Sequence, residues 1–140
     1  MAVKTRTITV EAEADSGARD ITSLVAKEVK ASDLKNGIIT IFVAGSTGGV
    51  TTIEFESGVV KDLSDAIERI APQGLSYRHD ARWGDGNGYS HVRSALVGPS
   101  LTVPFSKGEL LLGTWQQIVL FNFDNRPRSR EVILQIIGEP

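Results

Sequence analysis

Apolar and polar residues alternate from Lys4 to Ala12, with Ile8 and Val10 set between Thr7, Thr9 and Glu11. That two-residue period predicts a half-buried strand, which Gly17 ends. Between Asp20 and Lys35 the period lengthens. Ile21, Leu24, Val25 and Val29 share one helical face, Asp20 suits the start and Gly37 the end. The β-branched and aromatic run Ile38 to Val43 predicts a strand buried on both faces. Gly45-Ser46-Thr47-Gly48-Gly49 interrupts it, and alternation resumes from Thr51 to Glu56. A second amphipathic helix follows on Val60, Leu63, Ala66, Ile67 and Ile70, closed by Pro72 and Gly74.

Past that helix no helical period returns. His91 to Val97, Ser100 to Phe105, Leu110 to Gly113, Gln116 to Phe123 and Arg130 to Ile137 read as strands. Gly98-Pro99, Lys107-Gly108 and Asp124-Asn125-Arg126-Pro127 supply the turns between them. Five closely spaced strands after a mixed first half predict a mainly β fold with α+β content, a jelly-roll-like β-sandwich carrying two packed helices. A doubly wound parallel sheet needs helices between its late strands, and this reading finds none. Without a repeat, low-complexity tract or linker, residues 1–140 read as a single domain.

The formal net charge of −2 provides no basic field for nucleic acid phosphates, so nucleic acid is not an expected partner. With no cysteine, thiol nucleophiles and thiolate zinc sites are excluded, and a metal must be held by His, Asp or Glu. No run of about eighteen apolar residues occurs, so no membrane association is expected and a cytoplasmic location is the expectation.

Candidate chemistry gathers between Tyr77 and His91. This stretch holds both histidines, two aspartates, two arginines and three aromatics, broken by Gly84, Gly86 and Gly88. Imidazole with neighbouring carboxylate suits zinc or a similar divalent ion. The alternative is a polar loop that packs Tyr77 and Trp83 inward while its histidines bond to backbone. In the Gly45–Gly49 turn, Ser46 and Thr47 with free N–H groups could cradle a phosphate, or the turn is a plain β connection. Glu54 and Asp62 are further carboxylates in reach of a site or simply solvated. Asp124, Arg126, Arg128 and Arg130 form a basic turn, read as a solvated hairpin with an anion site as the alternative. Trp115 is expected in the core or at a subunit contact.

From His91 onward, Leu101-Thr102-Val103-Pro104, Leu112-Gly113-Thr114-Trp115-Gln116, Phe123-Asp124, Arg126-Pro127-Arg128 and Gly138-Glu139 stand in order and spacing that resemble the YjbQ family, often named secondary thiamine-phosphate synthases. Upstream, Tyr77 and His79 resemble its Tyr-x-His step, and Asn87 with His91 its Asn followed by His. Glu54 resembles the Glu closing its Thr-rich strand, and Asp62 an aspartate of the next helix. The departure is Gly45, where many members carry a histidine. Trp83-Gly84-Asp85-Gly86 is an insertion whose Asp85 could supply a replacement ligand.

The resemblance implies a homotrimeric sandwich and a capacity to form thiamine phosphate as a secondary activity. That reaction expels pyrophosphate from an aminopyrimidine methyl diphosphate, after which a thiazole nitrogen captures the cation. It implies a metal-dependent enzyme on a small phosphorylated or pyrophosphorylated metabolite. His79, His91, Asp85 and Glu54 are its candidate catalytic residues, and His79, His91, Glu54 and Asp62 would hold zinc or magnesium. Ser46, Thr47, Asn87 and Arg93 would bind substrate. The alternative is a trimeric small-anion or metal-binding structural protein without physiological catalysis.

Overall fold

A computed structural model describes all 140 residues. In chain order the elements are β1 (Ala2–Ala12), β2 (Gly17–Asp20), α1 (Thr22–Ala31), β3 (Asn36–Val43), β4 (Gly48–Ile53) and α2 (Ser57–Ile70). They continue with α3 (Arg78–Trp83), α4 (Gly88–Val97), β5 (Ser100–Ser106), β6 (Glu109–Leu110), β7 (Gln117–Asn122) and β8 (Arg128–Glu139). Strands β1-β8-β3-β5-β6 form one antiparallel sheet and β2-β7-β4 a second. The mainly β, two-sheet expectation therefore holds.

The long strand β8 is the spine of the larger sheet, paired along its length with β1 and β3. Its inward positions Val132, Leu134 and Ile136 alternate with half-buried neighbours, as a strand with one core face requires. They pack with Ile39 and Ile41 of β3, Val103 and Phe105 of β5, Ile118 and Leu120 of β7, and Val25 and Val29 of α1. The opposite face of β7 carries Val119 and Phe121. With Phe123 they meet Ile67 and Leu63 of α2 and Val97 of α4. Helices α2 and α4 thus cover the small sheet, and β7 is the strand buried on both faces.

That role had been expected of the Ile38–Val43 run. In β3 only Ile39, Ile41 and Val43 face the core, while Ile38 and Phe42 are 43% and 42% exposed on the outer face of the large sheet. Apolar character on both sides of that strand does not mean burial on both sides. Helix α1 also ends earlier than Gly37, at Ala31, where Ser32 and a left-handed Asp33 (φ 61°) turn the chain; Gly37 lies within β3 instead.

The largest correction is the number of helices, four rather than two. The segment His91–Val97, expected as a strand, belongs to α4, and α3 occupies part of the expected loop. Helix α4 turns Tyr89, Ser90, Arg93 and Ser94 inward and leaves Val92 and Leu96 exposed. A polar inner face and an aliphatic outer one invert the usual helical pattern, so the 3.6-residue period is invisible to hydrophobicity. The expected strand Leu110–Gly113 shrinks to the two residues of β6. Trp115 is 72% exposed and Trp83 is exposed as well, so neither packs in the core of the chain.

Candidate functional site

Helices α3 and α4 are locked at a fixed angle by a few short-range requirements. Gly84 ends α3 in the left-handed region (φ 72°), its N–H donating to the Asp80 carbonyl (2.8 Å). Gly86 also takes a positive φ, which lets Trp83-Gly84-Asp85-Gly86 fold back within a few residues. The chain then enters α4 at Gly88, whose N–H donates to Asp80 Oδ1 (2.8 Å), so a carboxylate from one helix satisfies the first turn of the next. A Cβ at Gly88 would lie 2.6 Å from Tyr77 Cβ, so this contact admits glycine alone. Tyr77 in turn donates its hydroxyl to the Pro72 carbonyl (2.7 Å).

This junction brings both histidines together. His79 on α3 and His91 on α4 have ring centroids 4.4 Å apart, tilted by 39°. His79 Nδ1 lies 3.2 Å from Asp85 Oδ1 and 3.4 Å from Asp80 Oδ1. His79, Asp80 and Asp85 each offer a ligand atom within 4.8 Å of the others, a donor set of one imidazole and two carboxylates that suits a divalent cation. Asp85, between α3 and α4, is exposed and its carboxylate meets only His79, whereas Asp80 also caps α4. Glu54 and Asp62 are exposed and lie outside this cluster within one chain. Asp80 was missed by the sequence reading, although it adjoins His79.

Beside the histidines runs a buried polar network. Asp124 is fully buried at the end of β7, where its Oδ2 accepts from Arg128 Nε (2.8 Å) and Thr47 Oγ1 (3.2 Å). Its Oδ1 accepts from the Asn125 N–H (2.8 Å) and Asn87 Nδ2 (3.3 Å). Burial alone would push the carboxyl up, but these donors outweigh it and hold its pKa below the ordinary value. Arg130, expected on a solvated hairpin, is buried and donates through Nη2 to Thr47 Oγ1 (2.7 Å) and Asn122 Oδ1 (2.6 Å). Burial lowers its pKa against the opposing pull of Asp124, and guanidinium stays charged at any relevant pH. Its place was readable. Arg130 is in phase with Val132, Leu134 and Ile136, the inward row of β8.

Of the expected substrate residues, Ser46 is exposed, while Thr47 and Asn87 are buried in this network. The network reaches the histidine loop directly, since Asn125 Nδ2 donates to the Asp85 carbonyl (3.1 Å). Arg93 points elsewhere. It is buried, donates to the Ala71 carbonyl (3.0 Å) and Ser16 Oγ (3.3 Å), pairs with Glu68 and lies over the Tyr89 ring. Within one chain its fork therefore ties α4 to α2 and to the turn before β2. Three buried side-chain atoms lack a partner: Asn87 Oδ1, Ser90 Oγ and Arg130 Nε. A depression of about 260 Å³ lies apart from this site, lined by residues including Val50, Thr52, Val97, Leu101 and Leu111.

Tyr89 anchors the far side of α4 by donating to Asp15 Oδ1 (2.6 Å). Burial first, then the Asp15 contact, push its hydroxyl up to about 12. Below its ordinary value near 10 the phenol is neutral in both folded and unfolded chains; above it the unfolded chain ionises first. Stability should accordingly fall as pH rises from about 10 to 12. Denaturant midpoints measured across that range check this, and Tyr89→Phe should flatten the decline. An equally steep decline in the variant would show that Tyr89 is not its source.

The family model for UPF0047 YjbQ-like proteins matches residues 6–139. A UPF0047 protein of Methanothermobacter thermautotrophicus is 38% identical over 121 residues, covering 86% of this chain and 82% of its own. One from Mycobacterium tuberculosis is 44% identical over 112 residues, covering 79% and 82%. Among solved structures, a YbjQ-like protein of Sulfolobus solfataricus P2 superposes with a TM-score of 0.93 at 32% identity over 99% of both chains. A hypothetical protein of Aeropyrum pernix K1 gives 0.89 at 29% identity, over 97% of this chain and 99% of its own. With the family match over nearly the whole chain, the identities to these relatives and the shared fold in agreement, the chain belongs to the UPF0047 YjbQ-like family.

Proposed function

We propose that the protein is a metal-dependent enzyme acting on a small phosphorylated or pyrophosphorylated metabolite in the cytoplasm, with formation of thiamine phosphate as a secondary activity. The carrying observation is the convergence of His79 Nδ1, Asp80 and Asp85 on one point with the His91 ring against His79. A divalent ion held there, zinc or magnesium, would neutralise charge developing on a departing phosphate or pyrophosphate. The chain's own groups then have distinct tasks. His79 and Asp85 hold the ion, and His91 holds or relays a proton beside it. Asn87 and Thr47 position the loop and turn that border the substrate, and the Ser46 hydroxyl faces solvent at that border. Expulsion of pyrophosphate needs no covalent nucleophile, which agrees with a site lacking cysteine.

Assembly as a homotrimer is part of the same reading, supported by the exposed apolar residues Val3, Ile38 and Phe42 on the outer face of the large sheet. Glu54 and Asp62 would enter the site through a neighbouring subunit or not at all. One observation favours the second reading, a structural ion without turnover: Asp80 already ties α3 to α4, so an ion on Asp80 would stiffen that junction.

The test is equilibrium dialysis of metal-stripped protein with zinc and magnesium, with sedimentation of the same samples to give the assembly mass. A screen for pyrophosphate release from diphosphorylated metabolites follows. Ion binding should weaken in acid, because protons compete with the ion for its imidazole and carboxylate ligands. Binding with turnover supports the enzyme, and binding that only raises thermal stability supports the structural ion. Protein that takes up neither ion, or is monomeric, counts against the corresponding half of the proposal.

A further inference from the structure

The guanidinium of Arg130 is a buried cation that makes no ion pair of its own. Its residue is 6% exposed, and the only buried acid nearby, Asp124, already pairs with Arg128 through Nε and Nη2. Two arginines therefore share one carboxylate, leaving a local excess of one positive charge. Three of the five guanidinium donors have no partner: Nη2 is held by Thr47 and Asn122, while Nε is buried and unsatisfied and Nη1 makes no recorded hydrogen bond. A buried donor without an acceptor is costly, so native proteins rarely leave one unless a ligand or ion completes it.

The glycine turn packs directly on the Nε–Nη1 edge of Arg130. A Cβ at Gly45 would lie 2.9 Å from Arg130 Nη1, and one at Gly48 would lie 3.2 Å from Nε. The guanidinium thus lies against the two glycines, and any side chain at position 45 would displace it. Between them, the N–H groups of Ser46 and Thr47 take part in no backbone hydrogen bond. Unused backbone donors beside a buried cation are the groups from which oxyanion sites are built.

We infer that Arg130, with the Gly45–Gly48 turn, is the phosphate-binding subsite of this protein. This deepens the proposed function, resting on it only for the choice of phosphate as ligand. It replaces Arg93, whose fork is occupied, as the arginine that receives the phosphate. The hydrogen-bonded path from Arg130 through Thr47, Asp124 and Asn87 reaches the loop that carries Asp85, so the two ends of a phosphorylated substrate would be read by one connected network.

Titration calorimetry of metal-stripped protein with inorganic phosphate at about 0.15 M salt tests this. The unaltered protein should bind one phosphate per chain without any divalent ion, and Arg130→Met should weaken binding at least tenfold. Because Arg130 also braces Thr47 and Asn122, Gly45→Val gives a second check: its side chain would push the guanidinium away from the turn and should weaken phosphate about as much, in a variant whose melting curve shows that it still folds. Arg126→Ala, at an exposed arginine of the neighbouring turn, should leave binding within about twofold, given the screening of surface charge. Phosphate binding that appears only after metal is restored overturns the inference and leaves the metal site standing. Binding without metal in a protein that also refuses zinc and magnesium upholds the subsite while the metal reading falls. An effect of Arg126→Ala equal to that of Arg130→Met, or none from either Arg130→Met or Gly45→Val, overturns it too.

Discussion

Asp124→Ala should lower stability by about 3–5 kcal/mol, the usual cost of removing one partner from a buried ion pair, and should depress the melting temperature by roughly 10–17 °C for a chain of this size. The carboxylate is fully buried and accepts from Arg128, Thr47, Asn87 and the Asn125 N–H, groups from three separated parts of the chain. Its loss leaves the buried Arg130 and the partly exposed Arg128 to repel each other without an anion. Asp124→Asn keeps the shape and removes the charge, so it should fall between the two proteins. The pH dependence has a definite sign. The native pKa is held below the ordinary value, so this contribution is complete above about pH 4 and is lost as pH falls further. Urea denaturation of the three proteins at neutral pH and near pH 3 measures both effects. A loss below about 1 kcal/mol for Asp124→Ala would mean that water or rearrangement satisfies the network, and the structural role given to Asp124 would be wrong.

The parts of the fold written in hydrophobic period were legible from sequence. The strands β1, β5, β7 and β8 and the helices α1 and α2 follow the expected segments to within a few residues at most ends. In each, side chains facing the core are apolar and those facing water are polar, so periodicity and burial coincide. Helix α4 breaks that link. Of its inward polar residues, Ser94 binds the Gly48 carbonyl and Arg93 binds the Ala71 carbonyl and the Glu68 carboxylate of α2, and such pairings are made by tertiary structure alone. Strand β3 errs the other way, since Ile38 and Phe42 are apolar without a partner inside the chain.

The site divides along a similar line. The nearness of His79, His91 and Asp85 was readable because all three lie in one short segment that its glycines allow to fold back. The participation of Asp124 and Arg130 depended on which strand face each occupies. The turn Asp124-Asn125-Arg126-Pro127 has the composition of solvated hairpins, yet the first of these residues is fully buried. Arg93 was assigned from residue type, and its direction is fixed by Glu68 and Ala71, which lie in and just after a helix far from it in sequence.

The aspartates beside His79 should separate ion binding from folding. Asp85→Asn removes a carboxylate that is exposed and recorded only against His79 Nδ1, so stability should change by less than about 0.5 kcal/mol. If a divalent ion sits on His79, Asp80 and Asp85, the same change should weaken its binding about a hundredfold or more, since even outer-shell partners of metal ligands are worth ten- to a hundredfold. Asp80→Asn should weaken the ion comparably, but it also replaces the carboxylate that accepts from the Gly88 N–H at the start of α4. A loss of about 0.5–2 kcal/mol, the range for a helix cap, should therefore accompany it. Zinc affinity by competition with a chelating dye, set beside urea midpoints of the metal-free proteins, gives both quantities for each variant. Two aspartates equal in affinity and unequal in stability are the expected signature. If Asp85→Asn leaves zinc affinity within threefold, the loop between α3 and α4 does not supply a ligand and the cluster is only a charged helix junction.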